Sequence, residues 1–389
     1  MDVSDLRIAL FSGNYNYTRD GANQALNRLV GSLLAKGAKV RVYSPKVANP
    51  DFPPTGDLVG VPNVPMPVKG RGEYRMPTHL GAEVKRDLAA FAPNVVHLSS
   101  PDPAAHAALR WAQTHDIPVL ASVHTRFETY PRYYNMAFLE PLIMSMLRRF
   151  YNRCDALVAP SQSMIDELRA MGMHEDIGLW SRGVDRTIFS SARRDMAWRH
   201  EIGLANDDVA IVFLGRLVME KGLDVFAETI ARLRTRGARH KVLVIGDGPA
   251  RPWFEANLPH AIFAGFKTGD ALGQALASGD VFFNPSVTET FGNVTLEAMA
   301  SGLPVVAAGA TGSASLVADG ITGRLVAPSG SKQTDAAAFA EALAPYCSDA
   351  ALRADHGAAG EARACEYSWE AINAVVAETY IRLVGNRAK

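Results

Sequence analysis

Short runs of apolar, β-branched residues alternate with stretches of helical periodicity along this chain, and the alternation begins twice. Nothing else in the sequence narrows the fold as far. Strands spaced by helices pair in parallel and must be covered on both faces. The first series comprises "RIALFS" (7–12), "KVRVYS" (39–44), "NVVHLSS" (94–100), "PVLASVHT" (118–125) and "ALVAPS" (156–161). Between its first two runs, Ala22, Ala25, Leu26, Leu29, Val30, Leu33 and Leu34 follow the spacing of a helix with one buried stripe. Gly37 stands where such a helix stops. The unit is strand-loop-helix-strand, the start of a Rossmann-like half.

The second series is "VAIVFLGR" (209–216), "KVLVIGDG" (241–248), "AIFAGF" (261–266), "DVFFNPS" (280–286), "PVVAAG" (304–309) and "GRLVAPS" (323–329). The polar, charged stretch 190–208 between the series is expected to be a linker, and the chain beyond 334 reads as Ala-rich helix. The fold class is therefore α/β: two Rossmann-like domains, 1–189 and 209–367, facing each other across a cleft. A length of 389 residues suits two domains of ~150–200 each. Such folds bind ligands at the carboxyl ends of their strands.

Composition excludes several classes. Lys+Arg and Asp+Glu both number 40, so no global field favours nucleic acid. Cys154, Cys347 and Cys365 form no CxxC pair, which argues against a disulfide framework or a zinc site. The start, "MDVSDLRIALFSG", is acidic before a strand-like run and is not a secretory signal. No apolar run approaches the ~18 residues that span a bilayer. A reduced, cytoplasmic compartment is expected.

Two segments carry chemistry. In "FLGRLVMEKGLD" (213–224) a strand ends and Arg216 and Lys221 follow in a loop that opens a helix. Two cations beside helix N-terminal amides make an anion site, Arg as a planar fork and Lys as a point charge. Two solvated surface cations are the plainer alternative. In "TETFGNVTLEAMASG" (288–302), Glu289 falls in a loop and Glu297 in the first turns of a helix beginning near Asn293 or Thr295. The amides of Phe291, Gly292, Asn293 and Val294 open toward the same space. No Lys or Arg neighbours either acid in sequence, so ligand hydroxyls are their expected partners. The alternative gives Glu297 a helix-dipole role of ~0.3–1 kcal/mol and leaves Glu289 a loop residue.

The blocks are far more specific in combination. GR-x₄-KG, "VIGDGP" (244–249), E-x₇-E followed by "AMASGLPVVA", and "DGITGRLVAPS" (319–329) resemble, in order and spacing, the C-terminal domain of family 4 glycosyltransferases. These are retaining, nucleotide-sugar-dependent enzymes of the GT-B fold. "VVHLSSP" (95–101), "VHT" (123–125), "CDALVAPSQSM" (154–164) and "RGVDRTIF" (182–189) are similar to the family's first domain. "YSWEAI" (367–372) resembles the segment that returns to that domain, placing a helix at about 368–389 on it.

The resemblance implies roles. Arg216 and Lys221 would grip the donor diphosphate and stabilise its developing charge. Glu289 and the amides of Phe291–Val294 would hold sugar hydroxyls, Glu297 the ribose, and the Gly246-Asp247-Gly248-Pro249 turn would lie near the base. His124 matches a histidine beside the reaction centre. Gly13, Asp20 and Gly21 lie in the first β-α loop, where glycine lets a backbone approach phosphate or acceptor. Ala22 stands where many relatives have a second glycine. Paired carboxylates also occur in glycosidases, but here they would hold different ends of one nucleotide sugar. Retention is implied, by front-face attack with the leaving phosphate taking the acceptor's proton. No D-x-D occurs, so neither metal nor other cofactor is expected. An epimerase of the same fold is the distant alternative.

The acceptor is read from the first domain. Residues 62–86 set Lys69, Arg71, Arg75, Lys85 and Arg86 against Glu73 and Glu83. Residues 126–153 set Arg126, Arg132, Arg148, Arg149 and Arg153 against Glu128 and Glu140, amid aromatic and apolar residues. This suits an anionic membrane surface; an ordinary buried helix with a cationic last turn is the alternative. "HTRFETYPRYY" (124–134) and "LWSRGVD" (179–185) resemble the branch of sulfolipid synthases and mannosyl- or glucuronosyl-lipid transferases. That implies a hexose moved from a UDP-sugar or GDP-mannose to a lipid such as diacylglycerol, with Arg126 and Arg182 on the acceptor side and peripheral membrane association. A soluble or polyprenyl-linked glycan acceptor is the alternative.

Overall fold

Each strand series closes into its own parallel sheet. The computed structural model describes residues 1–18, 20–66, 74–124, 137–289 and 291–387, the side chains of 137 and 311 excepted. The chain divides into one unit of Met1–Ser181 with Trp369–Lys389, and a second of Arg182–Ser368.

The first unit contains β1 (Arg7–Phe11), β2 (Lys39–Ser44), β3 (Asp57–Gly60), β4 (Asn63–Pro65), β5 (Arg75–Pro77), β6 (Val95–Leu98), β7 (Val119–Ser122), β8 (Ala156–Ala159) and β9 (Ile177–Leu179). Among the described residues its main sheet runs β3-β2-β1-β6-β7-β8-β9, all parallel, while β4 and β5 form a small antiparallel pair. Every residue of β6, β7 and β8 is buried, as expected of central parallel strands covered on both sides. Strand order reverses between β1 and β6, which pair with Leu10 opposite His97.

The second unit holds β10 (Ala210–Leu214), β11 (Lys241–Ile245), β12 (Ile262–Gly265), β13 (Val281–Asn284), β14 (Val305–Ala308) and β15 (Gly323–Val326). Their order, β12-β11-β10-β13-β14-β15, is doubly wound and reverses between β10 and β13. Phe213, Phe226, Phe254 and Phe283 fill the space between sheet and helices, with ring centroids 4.8–5.6 Å apart in the closest pairs. Such aromatic pairs contribute beyond their buried area.

Residues 190–208 are not a linker. They carry a 3₁₀ turn, Ser191–Arg193, and the helix Met196–Glu201, and they belong to the second unit. The charges that suggested solvent exposure are used internally. Arg199 is fully buried, 2.9 Å from Asp280, and donates to the carbonyls of Ser278 and Asp208. Asp280 also accepts from Arg194 at 2.7 Å and from the Ala210 amide at 2.8 Å. Asp195 caps the helix and holds Gln274. The division therefore falls after Ser181, with Val184 and Phe189 already in the second core.

The last helix, Trp369–Arg387, is part of the first unit. Arg28 lies over the Trp369 ring at 5.0 Å, and Arg382 and Arg387 pair with Asp176 and Asp155. Tyr380, fully buried, is hydrogen-bonded to His97. Among the described residues no helix is long and apolar enough to cross a membrane.

Two stability effects follow. Arg199→Ala removes one partner of a buried pair, which costs ~3–5 kcal/mol in general. Because Asp280 retains Arg194, the low end of that range is expected for the urea unfolding of the second unit. A loss too small to measure would mean Arg199 is not buried as described. Burial pushes the His97 pKa down from 6.5 to about 3. The folded protein thus holds this imidazole neutral where the unfolded chain protonates it. Its contribution is complete above pH 6.5 and declines below it, by about 1.4 kcal/mol per pH unit toward pH 3. His97→Asn should flatten the acid limb of stability against pH; an unchanged slope would refute the assignment.

Candidate active site

The second unit concentrates its candidate residues where strand order reverses. The loop after β10 carries Arg216 and a 3₁₀ turn, Met219–Lys221, and ends at Gly222, the N-cap of helix Leu223–Thr235. The loop after β13 carries Glu289 and ends at Gly292, the N-cap of helix Asn293–Ala300. The strands are adjacent, and side chains of the two loops meet across the gap between them. Lys221 Nζ lies 2.6 Å from Glu289 Oε1, with side chains 30% and 17% exposed. Glu289, expected without a cation, has one: the partner is distant in sequence and is delivered by the fold.

Both N-caps are glycines in the left-handed region, φ 72° at Gly222 and 91° at Gly292, and neither helix receives a side-chain cap. Asp20, Asp102, Ser161, Ser331 and Asp349 cap helices elsewhere, while the helices starting at Ala82, Glu140, Arg251, Gly269 and Thr311 also lack a side-chain cap. Uncapped first-turn amides at a strand's carboxyl end suit an anion. Asn293, in that first turn, has a buried Oδ1 with no hydrogen-bond partner among the described residues. Buried acceptors seldom stay unsatisfied.

Gly246 and Gly248 meet the chain itself. A Cβ on Gly246 would stand 2.0 Å from the Gly215 carbonyl oxygen, and one on Gly248 2.5 Å from that of Leu217. Leu217 donates to the Asp247 carbonyl and accepts from the Ala250 amide, both at 2.9 Å. The glycines thus let two loops lie backbone on backbone beside Arg216, itself exposed. Asp247 accepts from the Gly248 amide and pairs with Arg251, so its carboxylate shapes the turn.

The remaining residues separate by role. The Phe291 ring is buried and meets Tyr367 edge-on. Val294 and Glu297 are half-buried on the helix. The sequence did not single out Asn284 or Gly312. Asn284 bonds Thr295 and the Ser286 amide, shaping the loop that carries Glu289. A Cβ on Gly312 would fall 2.8 Å from the Glu289 carbonyl oxygen. "NPS" directly after a strand is the only signal of the first. Arg182 is buried at the start of the second unit.

In the first unit, Gly13 donates from its amide to Ser100 Oγ across the reversal between β1 and β6. Asp20 caps helix Gly21–Ala35 through the Asn23 amide and also accepts from Asn14, so it organises its own loop. Gly21 is that helix's first residue. His124, two residues past β7, bonds Ser122 through Nε2 at 2.8 Å and meets the Trp180 ring edge-on. Arg126 lies outside the described residues. No group of three or more His, Cys, Asp or Glu among the described residues is arranged to hold a metal.

Comparison with known proteins agrees with this architecture. The "Glycosyltransferase Family 4" model matches residues 19–187, and the "Glycosyl transferases group 1" model matches 208–349. The chain is 32% identical over 329 residues to a GDP-mannose-dependent alpha-mannosyltransferase of Mycolicibacterium smegmatis, covering 82% of this chain and 84% of that one. It is 34% identical to a sulfoquinovosyl transferase of Arabidopsis thaliana, over 64% of this chain and half of that protein. It is 27% identical to a phosphatidyl-myo-inositol mannosyltransferase of Mycobacterium tuberculosis over 95% of both. Among solved structures, the sucrose-phosphate synthase of Thermosynechococcus elongatus shares the fold, with a TM-score of 0.78 at 20% identity over 97% of this chain and 99% of that one. With the two parallel-sheet units of the GT-B fold and a relative of this identity over 82% of its length, the chain belongs to the family 4 glycosyltransferases.

Proposed function

We propose that the protein transfers a hexose from a nucleotide sugar to a hydroxyl of a membrane lipid, with retention of configuration and without a metal ion. The observation that carries the donor half is the Lys221–Glu289 pair, set between two glycine-capped helix N-termini. Lys221, Arg216 and those amides take the diphosphate; Glu289 and Asn293 Oδ1 accept from sugar hydroxyls; Glu297 takes the ribose. The turn at Gly246, Asp247 and Gly248 lies toward the base. An arriving diphosphate competes with Glu289 for Lys221, which frees the carboxylate for the sugar. The bond from the anomeric carbon to phosphate breaks as the bond to the acceptor oxygen forms. The acceptor's proton passes to the departing phosphate, whose charge the cations stabilise. The name of the mycolicibacterial relative favours GDP-mannose as donor.

The acceptor half rests on a surface of the first unit. Phe138, Leu142 and Met146 are 76%, 59% and 55% exposed and four residues apart, on a 3₁₀ turn and the helix Glu140–Tyr151 that follows. The same helix buries Leu147, Phe150 and Tyr151. A fully buried helix would not leave this stripe in water. Beside it, His106, Arg110, Met146, Arg149, Phe150 and Arg153 line a depression of about 310 Å³. Apolar side chains flanked by arginines suit an anionic lipid surface, at ~1 kcal/mol per well-placed cation. The phosphatidyl-myo-inositol mannosyltransferase among the relatives supports a lipid acceptor by its name.

Glu289→Ala should lower kcat by roughly 10²–10³-fold while calorimetry records nearly unchanged nucleotide binding. Lys221→Ala should weaken both, and the double variant should fall short of the sum because the two side chains touch. Wild-type turnover in the Glu289 variant would remove that residue from the site. Leu142→Glu with Met146→Glu should reduce binding to phosphatidylglycerol vesicles by tenfold or more. Cosedimentation against phosphatidylcholine vesicles measures this, and undiminished binding would overturn the surface assignment. Transfer from GDP-mannose to soluble glycans but to no extracted lipid would overturn the acceptor.

A further inference from the structure

Four side chains of the first unit, Tyr380, His97, Ser122 and His124, form a continuous hydrogen-bond chain. Tyr380, on the last helix, bonds His97 Nδ1. His97 Nε2 lies 2.8 Å from Ser122 Oγ, and Ser122 Oγ lies 2.8 Å from His124 Nε2. Tyr380 and His97 are fully buried and Ser122 is 1% exposed. Trp180, also buried, meets both imidazoles edge-on, with centroids 6.0 Å from His97 and 5.2 Å from His124. Burial holds His97 neutral until about pH 3, so one of its ring nitrogens donates and the other accepts.

The protons in this chain can all be satisfied in one order only. If Tyr380 donates to His97 Nδ1, then His97 Nε2–H donates to Ser122, and the Ser122 hydroxyl donates to His124 Nε2. In the reverse order His97 Nδ1–H points at Tyr380, and the tyrosine proton has no acceptor, since its hydroxyl touches no other polar group among the described residues. A buried O–H without an acceptor is disfavoured. We infer that Tyr380 is a positioning residue that acts through His97 and Ser122 to fix His124 as the tautomer protonated at Nδ1. The last helix then does more than cover the sheet: it selects which nitrogen of His124 donates. Its consequence for transfer rests on the proposal that His124 serves that reaction; the tautomer assignment does not.

The test is an imidazole ¹H–¹⁵N correlation spectrum of the ¹⁵N-labelled protein at neutral pH, alongside steady-state kinetics. Wild type should show His124 with an unprotonated Nε2 and a protonated Nδ1. In Tyr380→Phe the order loses its origin, and His124 should show a mixture of tautomers. Ser122→Ala breaks the chain beyond His97 and should change His124 in the same way, which keeps the test available if the Tyr380 variant folds poorly. For Tyr380→Phe, kcat should fall about three- to tenfold with the donor KM unchanged. A wild-type His124 protonated at Nε2, or a tautomer indifferent to both substitutions, would overturn the inference. A tautomer change with unaltered kcat would uphold the chain and remove His124 from the reaction.

Discussion

The contact between Lys221 and Glu289 exists because strand order reverses between β10 and β13. In a parallel sheet every crossover is right-handed, so consecutive strands carry their helices to one face until the order reverses. At the reversal, neighbouring strands send their loops apart and leave a gap at the carboxyl edge. Here the loop after β10 supplies a cation and the loop after β13 an anion, and the pair spans the gap. The rest of the site serves to hold those loops. Gly222 fits against Pro285, Thr288 bonds the Glu220 carbonyl, and Gly312 admits the backbone at Glu289.

Glycine has two uses in this edge, close approach and positive φ, and Gly246, at φ 137°, and Gly222, against Pro285, each combine them. Gly246 and Gly248 are small because another segment of the same chain occupies the place of a side chain. Their presence needs no ligand to explain it, although it brings the turn beside Arg216. Gly222 and Gly292 are required by backbone conformation, in the left-handed region just before a helix. A serine or aspartate at either cap would satisfy the first-turn amides internally. Glycine leaves them available, so the cap position carries the stronger functional meaning.

The alternating runs made the two sheets legible, and the strands deviated chiefly at their ends. "KVRVYS" is β2 residue for residue, whereas the run 241–248 leaves the ladder at Ile245, where the Gly-Asp-Gly turn begins. The edge strands β3 and β9 escaped notice because Asp57, Gly60 and Gly178 interrupt any apolar run. Periodicity also failed for 190–208. A charged stretch reads as solvent-facing, but Arg199 pairs with Asp280 some 80 residues away. Glu289 shows the same limit. Adjacency in sequence said it had no cation, and only the pairing of β10 with β13 supplies Lys221. Local pattern reveals which elements form; partners of buried charges depend on topology.

The two units treat the polar groups at their carboxyl edges differently. In the first, Asp20 is engaged by Asn14 and the Asn23 amide, Asp102 by Ser100 and the Ala105 amide, and His97 by Tyr380 and Ser122. Each of these groups closes a loop, caps a helix or fixes a neighbour, so these positions have their hydrogen bonds already made. In the second, the helices after β10 and β13 both begin at uncapped glycines, and Asn293 Oδ1 has no partner among the described residues. A preorganised edge holds geometry at little cost on binding, while an under-satisfied one gains most when a polar ligand arrives. On the proposed function, the phosphate-bearing substrate would gain most at the uncapped loops of the second unit, and the exposed stripe of Phe138, Leu142 and Met146 on the first would meet the apolar part of a lipid acceptor.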